Sequence, residues 1–432
     1  MISALRELMT EMPEANTETK PKDEVAPAPA APTSLPVVSI ERPADESDAG
    51  DDEDDDGHDD DEDDEEGDDD DDDEIREELE ETIAIATERL VGTPDDVAAL
   101  LFRGEALDDL GERDRARTDL ERAAVLAPAS AAAQLAWARW LFAGDEEDRA
   151  LEAAERAIEI GEAKGALSQI DQETGWNDIG RARARYLKAA LLAGREALEE
   201  ALTELDVSLR FDPDDARTLL LRGEVRHATG DLDGALVDLG KSVSFDPEDS
   251  EARLARAEAL LDSGEVAAAY SEVEAAIDLA GDDPTLEMLV VRGEVRLAEG
   301  DIESARADFT RAAELDPDSV DPRLGIVDAA LAANDLDAAE VAAKEALRLD
   351  PEHPQALVFK ARVDLVRGRH AEAEKSCSKA IEIDASAADA FALRSEARRK
   401  LGKLSQARHD AATARALGFD LEDPDHKAHG GK

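Results

Sequence analysis

The sequence predicts an all-α protein: an α-solenoid of about nine stacked helical hairpins. Three observations predict it. First, Asp-Pro or Ala-Pro steps recur at Ala127-Pro128, Asp212-Pro213, Asp246-Pro247, Asp283-Pro284, Asp316-Pro317 and Asp350-Pro351; the last five prolines stand 34, 37, 33 and 34 residues apart. Second, each interval holds two amphipathic helical stretches around a turn such as Gly230-Asp231, Gly300-Asp301 or Asn334-Asp335. Glycine ends a helix because it tolerates the left-handed conformation, and proline after aspartate stops one helix and opens the next. Third, small residues repeat at fixed places. Gly104, Gly223, Ala257 and Gly293 stand late in the first helix, Ala116, Ala235 and Ala269 early in the second, and Ala123, Ala276 and Ala312 further along. Small side chains let antiparallel helices approach closely. Such an array buries alanine and leucine between hairpins, so 3% aromatics suffice.

The elements follow in order. Residues 1–50 read as a disordered tail with an Ala/Pro-rich linker. Its first twelve residues, with Ile2, Leu5, Leu8, Met9 and Met12 at helical spacing, are read as a frayed terminus over a docking helix. Residues 51–74 carry 21 Asp/Glu in 24 positions. Mutual repulsion and the lack of any apolar residue predict a disordered acidic arm. Residues 1–90 hold 36 acids against 6 bases, half of the net charge of −60. Ile75, Leu79, Ile83, Ala86 and Leu90 share one face and predict a capping helix over 75–92. The array is expected over 94–420, with irregular hairpins at 128–160 and 176–212, and residues 421–432 as a disordered tail.

Composition excludes several functions. The acidic balance argues against nucleic-acid partners, which require Lys/Arg to replace counterions. One cysteine excludes a disulfide framework and Cys-based metal sites. No apolar run spans a membrane, and no secretory leader is read, so a cytoplasmic location is expected. Three motifs resemble chemistry without its context. Ala235–Ser242 matches a relaxed phosphate loop but lies inside a repeat helix. Asp52–Asp63 mimics a calcium loop through acid content alone. Ser376-Cys377-Ser378-Lys379 falls in a repeat helix. His426 and His429 lack further ligands nearby. No catalytic, metal or cofactor residue is assigned, and no cofactor is expected.

Period, turn glycine, small positions and closing proline together resemble the tetratricopeptide repeat (TPR) family over about 94–420. The sequence departs from the family pattern in placing leucine, as at Leu100, Leu219 and Leu289, where aromatics are usual. The resemblance implies a right-handed superhelix whose first helices line a concave, peptide-binding face, and a non-catalytic scaffold function. Projected onto that face, one row is apolar: Leu101, Leu220, Leu254, Val290, Leu324 and Val358. The other is acidic: Glu105, Glu224, Glu258, Glu294, Asp328 and Glu396. A protein or peptide partner with a basic or mixed apolar/basic segment is expected, rather than an acidic tail. The alternative is a chaperone-like role in which the Asp/Glu tract sequesters basic proteins.

One charge pattern copies itself. Arg103, Lys188, Arg222, Arg256, Arg292 and Arg394 precede, by sixteen residues, Asp119, Glu204, Asp238, Glu272, Asp308 and Asp410. The spacing predicts an ion pair bracing each hairpin. The repeats at 128–160 and around Ile326 lack both partners, and Lys360 faces Ser376. Trp137, Trp140 and Trp176 all fall in the irregular stretch 128–180, which predicts repair packing there, with Gly161–Gly180 as the alternative contact site.

Overall fold

Aspartates and serines start the helices and left-handed residues end them. Asp96, Ser130, Asp215 and Asp249 each accept a backbone N–H of the following first turn, satisfying one of the donors a helix start leaves unpaired. Gly300 closes its helix at φ 89°, a conformation that costs a side chain energy. Asn334 takes the equivalent place at φ 57°, as its short polar side chain permits.

The protein is seen in a computed structural model that describes residues 68–163, 167–281 and 283–419, with side chains from residue 75. Among the described residues there are twenty helices and no strand. They fall into two units that divide after Asp231.

The first unit opens with α1 (Asp68–Gly92), then α2 (Val97–Asp109), α3 (Arg113–Leu126), α4 (Ala131–Ala143) and α5 (Glu147–Glu162). The short α6 (Gln169–Glu173) precedes α7 (Asp178–Gly194), α8 (Leu198–Phe211) and α9 (Ala216–Ala228). Three hairpins form here, α2–α3, α4–α5 and α7–α8. The last two carry the irregular repeats.

The second unit contains α10 (Leu232–Phe245), α11 (Ser250–Asp262), α12 (Val266–Ala280), α13 (Leu286–Glu299) and α14 (Ile302–Leu315). It continues with α15 (Asp321–Ala332), α16 (Leu336–Leu349), α17 (Pro354–Val366), α18 (His370–Ile383), α19 (Ala388–Lys400) and α20 (Leu404–Ala416). Five hairpins pair α11 with α12 and so on to α19 with α20.

The small positions do what their chemistry requires. A Cβ on Gly104 would lie 2.6 Å from a methyl of Leu120. One on Gly293 would lie 2.5 Å from the Phe309 ring, and one on Gly325, in the next hairpin, 2.4 Å from the same ring. Phe309 thus fills the seam between two hairpins and is fully buried.

The helix predicted over 75–92 spans Asp68–Gly92. Leu79, Ala86 and Leu90 are buried and anchor the helix, which packs on α2. The readings for residues 1–50, 51–67 and 421–432 lie outside the described residues.

Candidate partner-binding surface

Within each unit, neighbouring first helices touch. In the second unit α11 meets α13, α13 meets α15, α15 meets α17 and α17 meets α19; in the first, α2 meets α4, α4 meets α7 and α7 meets α9. Second helices of neighbouring hairpins stay further apart. The first helices therefore lie on the inner side of each unit's curvature.

The apolar row expected to face a ligand is largely consumed by packing. Leu101, Leu220, Leu324 and Val358 are buried, while Leu254 and Val290 are half-buried. Val358 packs with Ala380 of its own hairpin and Ala390 of the next, and Leu324 with Ala346 and Ala356. The row lies in the seams between hairpins, because every seam needs apolar area from both sides. An open apolar stripe is not formed there.

The acidic row remains accessible. Glu258, Glu294 and Glu396 are exposed; Glu105, Glu224 and Asp328 are half-buried. Asp328 pairs with Arg362 at 2.6 Å, and Glu105 lies 3.6 Å from Arg139. Glu294 is exposed to solvent. Desolvation by its surroundings, reinforced by Glu258, Asp262, Asp328 and Asp321, pushes its pKa up to about 7. These carboxylates converge from α11, α13 and α15, and sequence projection had missed Asp262 and Asp321.

The inner face of the first unit adds arginines to its acidic residues. Arg139 on α4 and Arg217 on α9 each lie within electrostatic reach of Arg183 on α7. Burial pushes the Arg183 guanidinium down, and Arg139 adds to the shift. Glu105 goes up through burial, opposed by Arg139 and Arg183. None of the three arginines was singled out in the sequence, because the irregular hairpins blur the register. The signal was available: Arg183 and Arg217 are 34 residues apart.

The sixteen-residue charge pattern resolves into contacts. Arg103 grips Asp119 through both carboxylate oxygens at 2.7 and 2.9 Å. Arg292 does the same to Asp308 at 3.2 and 2.8 Å. Lys188 lies 3.1 Å from Glu204 and Arg256 2.7 Å from Glu272. Arg222 and Asp238 fall on opposite sides of the unit division. Within its own unit Arg222 pairs with Asp206 on α8 at 2.9 Å.

Reading pairs alone understates the arrangement, since the first-helix cation also reaches backwards. Lys188 contacts Glu155 at 3.1 Å, Arg292 contacts Glu274 at 3.6 Å, and Arg103 donates to Thr87 at 3.2 Å. These three clamps thus each join a hairpin to the element before it. Lys360, which has Ser376 opposite, instead bonds the buried Asp364 on its own helix at 2.6 Å. At 137 a tryptophan stands where the arginine would be, stacked on Trp140 with ring centroids 5.2 Å apart.

The segment joining α5 to α7 is held internally. Trp176 is buried, and Cβ atoms on Gly161 and Gly180 would lie 2.6 and 2.8 Å from its ring. Buried Asp171 accepts from Ser130 Oγ at 2.6 Å and from the Ala132 N–H at 3.1 Å, pinning α6 to the start of α4. Cys377, part of the serine–lysine look-alike, is fully buried, and burial pushes its thiol up to about 12. No described helix is long and apolar enough to cross a membrane.

Residues 226–292, 296–362 and 330–397 match a family model described as tetratricopeptide repeat. Those stretches carry tetratricopeptide repeats. Several solved structures align with the chain. A TPR protein from Parabacteroides merdae shares 19% identity over 55% of this chain and 94% of its own, with a TM-score of 0.46. Yeast Tom70 shares 15% over 79% and 82%, also at 0.46. PilF of Pseudomonas aeruginosa shares 19% over 54% and 97%, at 0.43. These scores are too low to bear on overall arrangement, so the assignment rests on the repeats. No curated protein matches the chain in sequence.

Proposed function

We propose that the chain is a non-catalytic TPR scaffold for protein–protein interaction, and that the inner face of the second unit takes a basic or mixed apolar/basic segment. One observation carries this reading: desolvation, reinforced by the carboxylates around it, raises the pKa of Glu294 to about 7. Their mutual repulsion is relieved when a Lys or Arg side chain approaches them. Glu258 and Glu294 supply charge, and the partly buried Leu254 and Val290 supply limited apolar contact.

The test is binding of a fluorescent Lys/Leu peptide to the full chain. Affinity is expected to fall steeply with salt, and to drop about tenfold in the E258Q/E294Q variant, a loss of about 1.4 kcal/mol. Unchanged affinity in that variant overturns the reading. A full-length variant with Asp/Glu 51–66 converted to Asn/Gln addresses the alternative. If peptide binding vanishes there and survives in E258Q/E294Q, the acidic tract is the sequestering element.

A further inference from the structure

We propose that the open face of α20 docks on the open face of α1 in a second copy of this chain, the two helices running antiparallel. Arg408, Ala412 and Arg415 repeat, 34 residues on, the places of Glu374, Ser378 and Ile381 in α18. Those three places meet the following hairpin. Glu374 pairs with Arg398 at 2.9 Å, Ser378 accepts from Arg394 at 3.3 Å, and Ile381 packs in the cluster of Ala380 and Ala390. On α20, the last described helix, the same face carries no described neighbour, and Arg408, Ala412 and Arg415 are exposed. α1 has an open face of its own. Leu79, Ala86 and Leu90 are buried where it packs on α2, and Glu81, Ala84 and Glu88 on the opposite side are exposed. The side chains of Glu81, Glu88, Arg408 and Arg415 make no ion pair or hydrogen bond among the described residues.

The two faces are complementary position by position. Glu81 and Glu88 stand seven residues apart, and so do Arg408 and Arg415; that spacing is two helical turns, about 10 Å along the axis. An alanine lies between the charges on each helix. Ala84 is three residues from Glu81 and four from Glu88, and Ala412 is three from Arg415 and four from Arg408. Only the antiparallel direction sets Ala84 against Ala412 while Glu81 meets Arg415 and Glu88 meets Arg408. The two methyl groups allow close approach of the helices. The same register brings Val91, 81% exposed, level with Leu404, 55% exposed, which adds an apolar contact at one end. Each copy has a net charge of −60, but charges further off than the Debye length of about 8 Å are screened, so the facing pairs decide the contact. It joins two different patches, and so either passes from copy to copy or closes into a ring. The inference is independent of the proposed peptide-binding face, which involves other residues.

The test is sedimentation of full-length chains over a concentration series. Exposed ion pairs are individually weak, so the native chain is expected to self-associate with a Kd on the order of 0.1 mM. Glu81→Arg with Glu88→Arg sets like charges face to face, as does Arg408→Glu with Arg415→Glu in a separate chain. Each variant should weaken self-association about tenfold or more, with the circular dichroism unchanged. Mixing the two variants restores opposite charges between one chain's α1 and the other's α20, and association should return, a rescue that a folding defect in either variant would not give. A native chain that keeps the mass of one copy up to about 1 mM overturns the proposal. So does a mixture of the two variants that stays monomeric. Undiminished self-association of the Glu81→Arg, Glu88→Arg chain also overturns it, and assigns the α20 face to some other anionic partner.

Discussion

Arg394 donates to both carboxylate oxygens of fully buried Asp410, at 3.1 and 2.9 Å, and so ties α19 to α20 in the last hairpin. Arg398 adds a second donor to Asp410 at 2.7 Å. Removing the carboxylate strands two guanidiniums. Asp410→Ala is therefore expected to destabilise the last hairpin by about 3–5 kcal/mol. Well-packed apolar replacement of Asp410 together with Arg394 and Arg398 should recover most of that loss. Site-resolved hydrogen exchange is the suitable measurement, because repeat arrays open locally. Equal protection of α20 in native and Asp410→Ala chains would contradict the clamp.

Phe309 and its two flanking glycines give a second expectation. Gly293→Ala or Gly325→Ala forces a methyl into the ring, at a cost of about 1–3 kcal/mol. Combining either with Phe309→Leu should relieve part of the strain, a coupling that denaturant melts of the single and double variants can read. Strictly additive effects would show that ring and glycines do not share the seam.

Glu294 makes stability and binding depend on pH in opposite senses. Its folded-state pKa of about 7 lies above the ordinary 4.5, so the folded chain holds the extra proton between those values. Its contribution to stability therefore declines as pH rises from about 4.5 through 7. Because the side chain reaches solvent, Glu294→Gln should gain only about 1 kcal/mol or less near pH 8, and nothing near pH 5. A basic peptide favours the ionised form, so its affinity should rise with pH through about 7 in the native chain and stay flat in Glu294→Gln. Proton release on binding, measured calorimetrically in two buffers, checks the sign.

Trp176 holds α5 and α7 together across the connecting segment. Trp176→Ala is expected to cost about 3–5 kcal/mol. It should raise hydrogen exchange in α5, α6 and α7 while sparing the second unit. Uniform loosening of both units would show that the tryptophan is not a local plug.

Much of this was legible in the residues themselves. Period, turn chemistry and small positions specify helical hairpins, because each is a local constraint repeated along the chain. Gly293 and Phe309 could both be picked out as repeat positions, but not that Gly325 closes the other side of the ring. Arg103 and Asp119 could be matched by spacing, yet the backward reach to Thr87 depends on how the preceding element lies. The apolar row was misplaced: helical projection gives a direction around one axis, whereas the neighbouring hairpin decides whether that direction is seam or open face. Leu101 and Val358 are buried for that reason.

The amino-acid order alone therefore determined the building block, its length and the charges it carries, since those follow from backbone preferences and the burial of one apolar face. Only the tertiary arrangement decided which charges meet. Arg139, Arg183 and Arg217 are dozens of residues apart and share one surface; Glu258, Glu294 and Asp321 share another. Electrostatic interaction depends on distance through space, and in a stacked array that distance is set by packing between hairpins.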